Sequence, residues 1–256
     1  MIKQKIPYQN IERACIFSLL LVSLMSYSQS VQAQLSLSRN TVSRNTIENS
    51  QKQAKKPKLP KNGAPTGRRR AGAGRNPDCP SSLKGLTALV PGDGEELFLV
   101  STVAAYPTYW FYVPELPETA REAELVLQER DGRKVKNVYR KPLKLSGKAG
   151  IISITPPDKS EYCLKENKTY QWYFHVYCGD TKATSDNFYV DGFVQKKAQT
   201  QTVDSDWYDT LTNLGKQRRA KSQDESINKS WVDLLKGVGL SELADKPILE
   251  HYDLEK

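Results

Sequence analysis

The stretch Lys168-Thr-Tyr-Gln-Trp-Tyr-Phe-His-Val-Tyr-Cys178 leaves the chain few choices. Side chains alternate along a strand, so Tyr170, Trp172, Phe174, Val176 and Cys178 share one face. Gln171, Tyr173, His175 and Tyr177 share the other. The even face carries a large apolar load and must point into a core. The odd face is aromatic but polar-tipped, which lets it stay wet. Most other segments read as cover for the even face.

Those segments are short and strand-like. Leu83–Val90 is closed by Pro91-Gly-Asp-Gly94, and Glu95–Val103 follows. The dense aromatic run Pro107-Thr-Tyr-Trp-Phe-Tyr-Val-Pro114 is bracketed by prolines, which suit strand ends. Ala123–Arg130 alternates, with Ala123, Leu125 and Leu127 inward and Glu122, Glu124 and Gln128 outward. Asp131-Gly132 is a hairpin turn, and Lys134–Leu145 returns from it. Gly150–Thr155 stops at Pro156-Pro157, and Asn187–Val194 completes the set. Short strands at this spacing, with no helical pattern between them, predict a mainly β protein of the sandwich class. Leu164 followed by Tyr170-x-Trp172 is similar to the tyrosine corner of immunoglobulin-like and fibronectin-like sandwiches.

The period changes near residue 200. Asp204-Ser-Asp206 is placed to cap a helix carrying Trp207, Leu211 and Leu214. Ile227, Trp231, Leu234, Leu235 and Val238 form the apolar stripe of a second helix, ended by Gly237 and Gly239. Leu240–Leu243 begins a short third piece before Pro247. Helices this short need a surface to pack on.

The N-terminal quarter reads differently. Lys3, Lys5 and Arg13 precede an apolar run from Ala14 to Met25, too short to span a bilayer, and Val31-Gln-Ala33 supplies a cleavage site. Cys15 lacks a lipobox, so lipidation is not expected. Residues 34–75 hold eleven Lys/Arg and a single acid, Glu48, with no apolar periodicity. Of the whole chain's net +9, the remainder from residue 76 carries −3. The positive charge therefore belongs to a tail, which argues against a nucleic-acid-binding fold. The expected organisation is a signal peptide at 1–33, a disordered basic linker at 34–75, a β-sandwich at 76–198 and a helical extension at 199–256. The expected location is periplasmic or extracellular, with no transmembrane segment after cleavage.

Asp78-Cys-Pro80, Leu86-Thr-Ala-Leu-Val-Pro91, Pro107–Pro114, Tyr170-x-Trp-Tyr-Phe174 with Cys178, Val190-x-Gly192, Trp207-Tyr-Asp-Thr-Leu211 and Trp231-x-x-Leu-Leu235 occur in that order. Together they resemble the cyanobacterial family called domain of unknown function 928, over about residues 76–250. The resemblance implies an exported protein with no assigned activity and no catalytic residues to carry over. Its members are often encoded near secreted adhesin-like and caspase-like proteins, which points to envelope partners. Cys163 is not part of that pattern. The expected disulfide joins Cys79 to Cys178, which export permits.

Catalytic signatures are missing. The sequence has no Gly-x-Ser-x-Gly, Walker loop, His-Glu-x-x-His or Cys-x-x-Cys. After residue 33 only His175 and His251 remain to serve a triad or a metal. A Cys163 or Cys178 nucleophile with His175 is disfavoured, since Cys178 lies on the opposite strand face. Asp204-x-Asp206-x-x-Asp209 lacks the glycine and terminal Glu of a calcium loop. No cofactor or metal is expected. The positive signal is aromatic: thirteen Tyr, several on the outward face. Tyr173, His175 and Tyr177, joined by Tyr109 or Tyr189, are the expected contact surface for an envelope protein or polysaccharide. The competing reading lays the C-terminal helices across this face. The alternative function is an envelope hydrolase on carbohydrate or peptide. Oligomeric state is left open.

Overall fold

The computed structural model describes residues 67–72, 79–93, 96–97, 99–179, 187–198 and 206–254. The expected signal peptide lies outside them. All belong to one compact unit, residues 54–256.

In chain order the strands are β1 (Thr87–Ala88), β2 (Gly92–Asp93), β3 (Glu96–Leu97), β4 (Leu99–Thr102), β5 (Tyr109–Val113), β6 (Glu122–Asp131), β7 (Lys134–Lys144), β8 (Gly150–Thr155), β9 (Thr169–Val176) and β10 (Phe188–Lys196). Helices α1 (Trp207–Ala220) and α2 (Glu225–Gly237) follow, then strand β11 (Ile248–Asp253). One sheet has the order β1-β5-β8-β11 and the other β4-β10-β9-β6-β7, with β2-β3 a small separate pair. The stretch 168–178 supplies β9, third of five strands, paired on both sides.

The even face of β9 is the centre of the core. Tyr170, Trp172, Phe174, Val176 and Cys178 are all buried between the sheets. Phe111 of β5 stacks on Phe174 at 4.3 Å and meets Trp172 edge-on at 5.5 Å. Each such ring contributes about 2–3 kcal/mol by leaving water. Gly192 of β10 pairs with Trp172 of β9, and any Cβ on Gly192 would strike the indole. The Lys165 N–H donates to the Tyr170 hydroxyl at 2.9 Å. A Cys79–Cys178 disulfide closes a separation of 99 residues and ties the start of the body to the end of β9. The chain-entropy model gives such a loop roughly 4–5 kcal/mol.

The helices do not cross the aromatic face of β9. They cover the opposite layer, where Trp110 and Ile151 on the outer side of β5 and β8 meet Leu211, Trp231 and Leu235. This explains why β8 is buried on both faces. Gly215 of α1 lets the Trp110 indole approach the helix backbone where a side chain would collide. The first turn of α1 reaches the core itself, placing Tyr208 beside Tyr109 and Trp172.

Four expectations need correction. Leu83–Val90 is a 3-10 turn, Ser81–Gly85, followed by the short β1, because Leu83 and Leu86 both turn inward. The expected strand Glu95–Val103 divides into β3 and β4, and β4 lies parallel to β10. The helical extension contains a strand, since β11 joins β8 in parallel. The body also begins before residue 76. Ala71 N–H donates to Leu86 O, Ala88 N–H donates to Arg69 O, and Asp191 N–H donates to Arg68 O. Residues 68–71 thus hydrogen-bond to the edges of both sheets.

Candidate functional site

Pleating puts Gln171, Tyr173, His175 and Tyr177 on the outer side of the five-stranded sheet. Register fixes their neighbours. His175 lies between Tyr189 and Glu124, while Tyr173 lies between Asp191 and Val126, with Arg140 beyond Val126. The rings form a row. Tyr173 stacks on His175 at 5.9 Å and 17°, and His175 on Tyr177 at 6.1 Å and 12°. Tyr189 joins from β10, 5.3 Å from His175 and 6.2 Å from Tyr173. Arg68 places its guanidinium 4.9 Å over the Tyr189 ring.

The three expected residues do not share one environment. Tyr173 and His175 are half-buried, as is Tyr189. Tyr177 is only 5% exposed. Its hydroxyl donates to Glu124 Oε2 at 2.7 Å, and Arg140 Nη1 donates to the same oxygen at 2.7 Å. Tyr177 therefore anchors the end of the row. Tyr109, the other expected contributor, lies in the core.

Electrostatics keep the row uncharged. Burial, with help from Arg140 and against Glu124, lowers the His175 pKa to about 4. The imidazole is therefore neutral at neutral pH, and its buried Nδ1 has no hydrogen-bond partner among the described residues. Burial raises the Tyr173 pKa, and the neighbouring Asp191 adds to it. Burial also raises the Asp191 carboxyl, opposed by donors from Gln171 Nε2 at 2.8 Å and the Arg68 N–H at 2.9 Å.

Nucleophile–base chemistry finds little here. Cys178 is committed to the disulfide, and Cys163 Sγ donates to Leu164 O. A pair that sequence reasoning missed is Ser153 Oγ and His251 Nδ1, 3.0 Å apart on β8 and β11. The parallel pairing that creates it leaves no signature in the sequence. Ser153 is 1% exposed, so no substrate reaches it. Asp206 stands at the N-cap of α1 as expected, but its side chain, like that of Asp209, bonds β4 and its neighbours and not the helix N–H groups. Asp206 accepts from Ser101 Oγ and Lys197 Nζ, and Asp209 accepts from Thr102 Oγ1 and the Val103 N–H. Among the described residues no three His, Cys, Asp or Glu side chains are grouped to hold a metal. No described helix is long and apolar enough to cross a membrane.

Two packed sheets backed by a helix pair, with an aromatic row on the outer face of the five-stranded sheet that the helices leave uncovered, define the described residues as a mainly β protein. The chain belongs to the family described as Domain of Unknown Function (DUF928), whose model matches residues 70–206 and 203–248. No curated protein and no solved structure matches it.

Proposed function

We propose that this protein is an exported, non-catalytic binding module of the cell envelope, and that the row Tyr173–His175–Tyr189 is its contact surface. The observation that carries the reading is the stacked geometry of half-buried, polar-tipped rings on a sheet face that the helices leave uncovered. Rigid aromatic rings bind sugars and protein side chains at low entropic cost. In this reading residues 1–33 direct export and the basic stretch before residue 67 tethers the body near acidic polymer. Kinship with immunoglobulin-like or fibronectin-like sandwiches is part of the proposal, supported by the Lys165–Tyr170 contact. The alternative, an envelope hydrolase, could draw on the Ser153–His251 pair among the described residues, and the burial of Ser153 speaks against that pair.

The test is affinity electrophoresis of the purified protein through gels containing soluble polysaccharides. Y173A combined with Y189A should abolish retardation at a temperature where circular dichroism shows the variant folded, since losing two half-buried rings costs about 2–3 kcal/mol. Retardation that survives the double substitution would remove the row as the contact surface.

A further inference from the structure

The charges around the aromatic row are sorted by depth. Among the described residues, the two carboxylates beside Tyr173, His175 and Tyr189, Glu124 and Asp191, are buried and already bonded to protein donors, while Glu122 is exposed at the Tyr177 end of the row, opposite Lys144. The guanidiniums lie higher. Arg68 is exposed and lies over Tyr189, Arg140 keeps half its side chain in solvent above Glu124, and Arg130 of β6 is half-buried. Arg130 acts electrostatically on both Tyr173 and Asp191. Around Tyr173, His175 and Tyr189 an approaching ligand therefore meets rings rimmed by three guanidiniums, with Glu124 and Asp191 beneath and Glu122 exposed beyond, at the Tyr177 end. Because β9 is paired on both sides, the row itself offers no backbone edge to a peptide strand. The ligand must be held by ring faces and guanidinium forks.

We infer that the row binds an acidic polysaccharide whose pyranose rings carry carboxylates, as in a polyuronate. This rests on the binding-face reading above. Tyr173, His175 and Tyr189 enclose a triangle with sides of 5.9, 5.3 and 6.2 Å, a platform for the apolar face of a sugar ring. Arg68 and Arg130 reach the carboxylates, for which a planar guanidinium is the matched partner. Arg140, engaged by Glu124, supports the potential without supplying a free fork.

The experiment compares two polymers with one backbone: polygalacturonate and its fully methyl-esterified form, titrated by calorimetry into the purified protein. The wild type should bind polygalacturonate about tenfold tighter or more, the scale of one charge-assisted contact. R68Q with R130Q should remove that preference, and the Arg68 backbone bonds to Asp191 survive the change. Y173A with Y189A should weaken both polymers. Equal affinity of the wild type for the two polymers overturns the charge inference and leaves the aromatic face standing. A preference that persists in R68Q/R130Q overturns it as well. Dextran sulfate binding as tightly, independent of the tyrosines and erased by salt, would reduce the preference to unspecific attraction. No binding to either polymer overturns the choice of ligand together with the face.

Discussion

The indole N–H of Trp172 donates to the Tyr208 hydroxyl at 2.7 Å, joining the central strand of one sheet to the first turn of a helix that backs the other. Both side chains are fully buried. The bond makes the C-terminal helices part of the core, so sandwich and helices should melt together.

Y208F tests this. It keeps the ring against Tyr109 and leaves the Trp172 N–H buried without an acceptor. The expected loss is about 1–3 kcal/mol. Urea unfolding followed by tryptophan fluorescence and by far-UV circular dichroism should give one coincident transition, shifted down in the variant. Separate transitions in the wild type would show that the helices are an appendage.

Arg69 and Arg70 are adjacent and differ sharply. Arg69 is 7% exposed and donates to Gly92 O, Val238 O and Gly239 O at 2.8–2.9 Å. The last two carbonyls follow the C-terminal end of α2, where a positive charge is favoured. Arg70 pairs with Glu242 in solvent. R69M should destabilise by about 2–4 kcal/mol, because three carbonyls lose a charged donor. R70Q should cost no more than about 1 kcal/mol. Equal losses in thermal denaturation would contradict a buried clamp. The same contrast predicts that removing residues up to 66 leaves the melting temperature unchanged, while removal up to 71 does not.

The contrast also marks where sequence reading works. Residues 170–178 declared their faces because strand periodicity is local, and the core obeys it residue for residue. The arginine run at 68–70 looked like a solvated tail because its partners, two sheet edges and a helix end, exist only in three dimensions. Strand β11 was hidden for a similar reason. Ile248–Asp253 is half-buried along most of its length and shows no alternation, so only pairing with β8 makes it a strand. The direction of Tyr177 was legible, but its burial against Glu124 was not. A face can be read from spacing, whereas depth requires knowing what stands beside it.

The β6–β7 hairpin carries its own protection. β7 is an edge strand, and an open edge invites pairing with another chain. A register shift falls opposite Leu127–Gln128, Lys141 stands opposite the core residue Leu125, and Pro142 removes a donor. K141V with P142V should convert the monomer–oligomer distribution toward association, read by sedimentation velocity at several concentrations. An unchanged sedimentation profile would mean that this edge is blocked by something else.

His175 gives the sharpest pH test. Its pKa is about 4 in the folded chain against 6.5 in the ordinary case, with burial the largest cause. A histidine held neutral by the fold binds fewer protons folded than unfolded. Stability from this group is therefore fully present above about pH 6.5 and falls as pH drops toward 4. The full shift corresponds to roughly 3 kcal/mol. Glu124 and Arg140 act on the ring with opposite signs, and Asp191 titrates nearby in both proteins, so the measurement is a difference. Stability of the wild type minus that of H175Q, from urea titrations at pH 4.5 to 7.5, should decline by about 2–3 kcal/mol on acidification. The variant keeps a polar side chain in the row but cannot take up the proton. A flat difference would place His175 in water and remove the buried, neutral ring on which the binding surface depends.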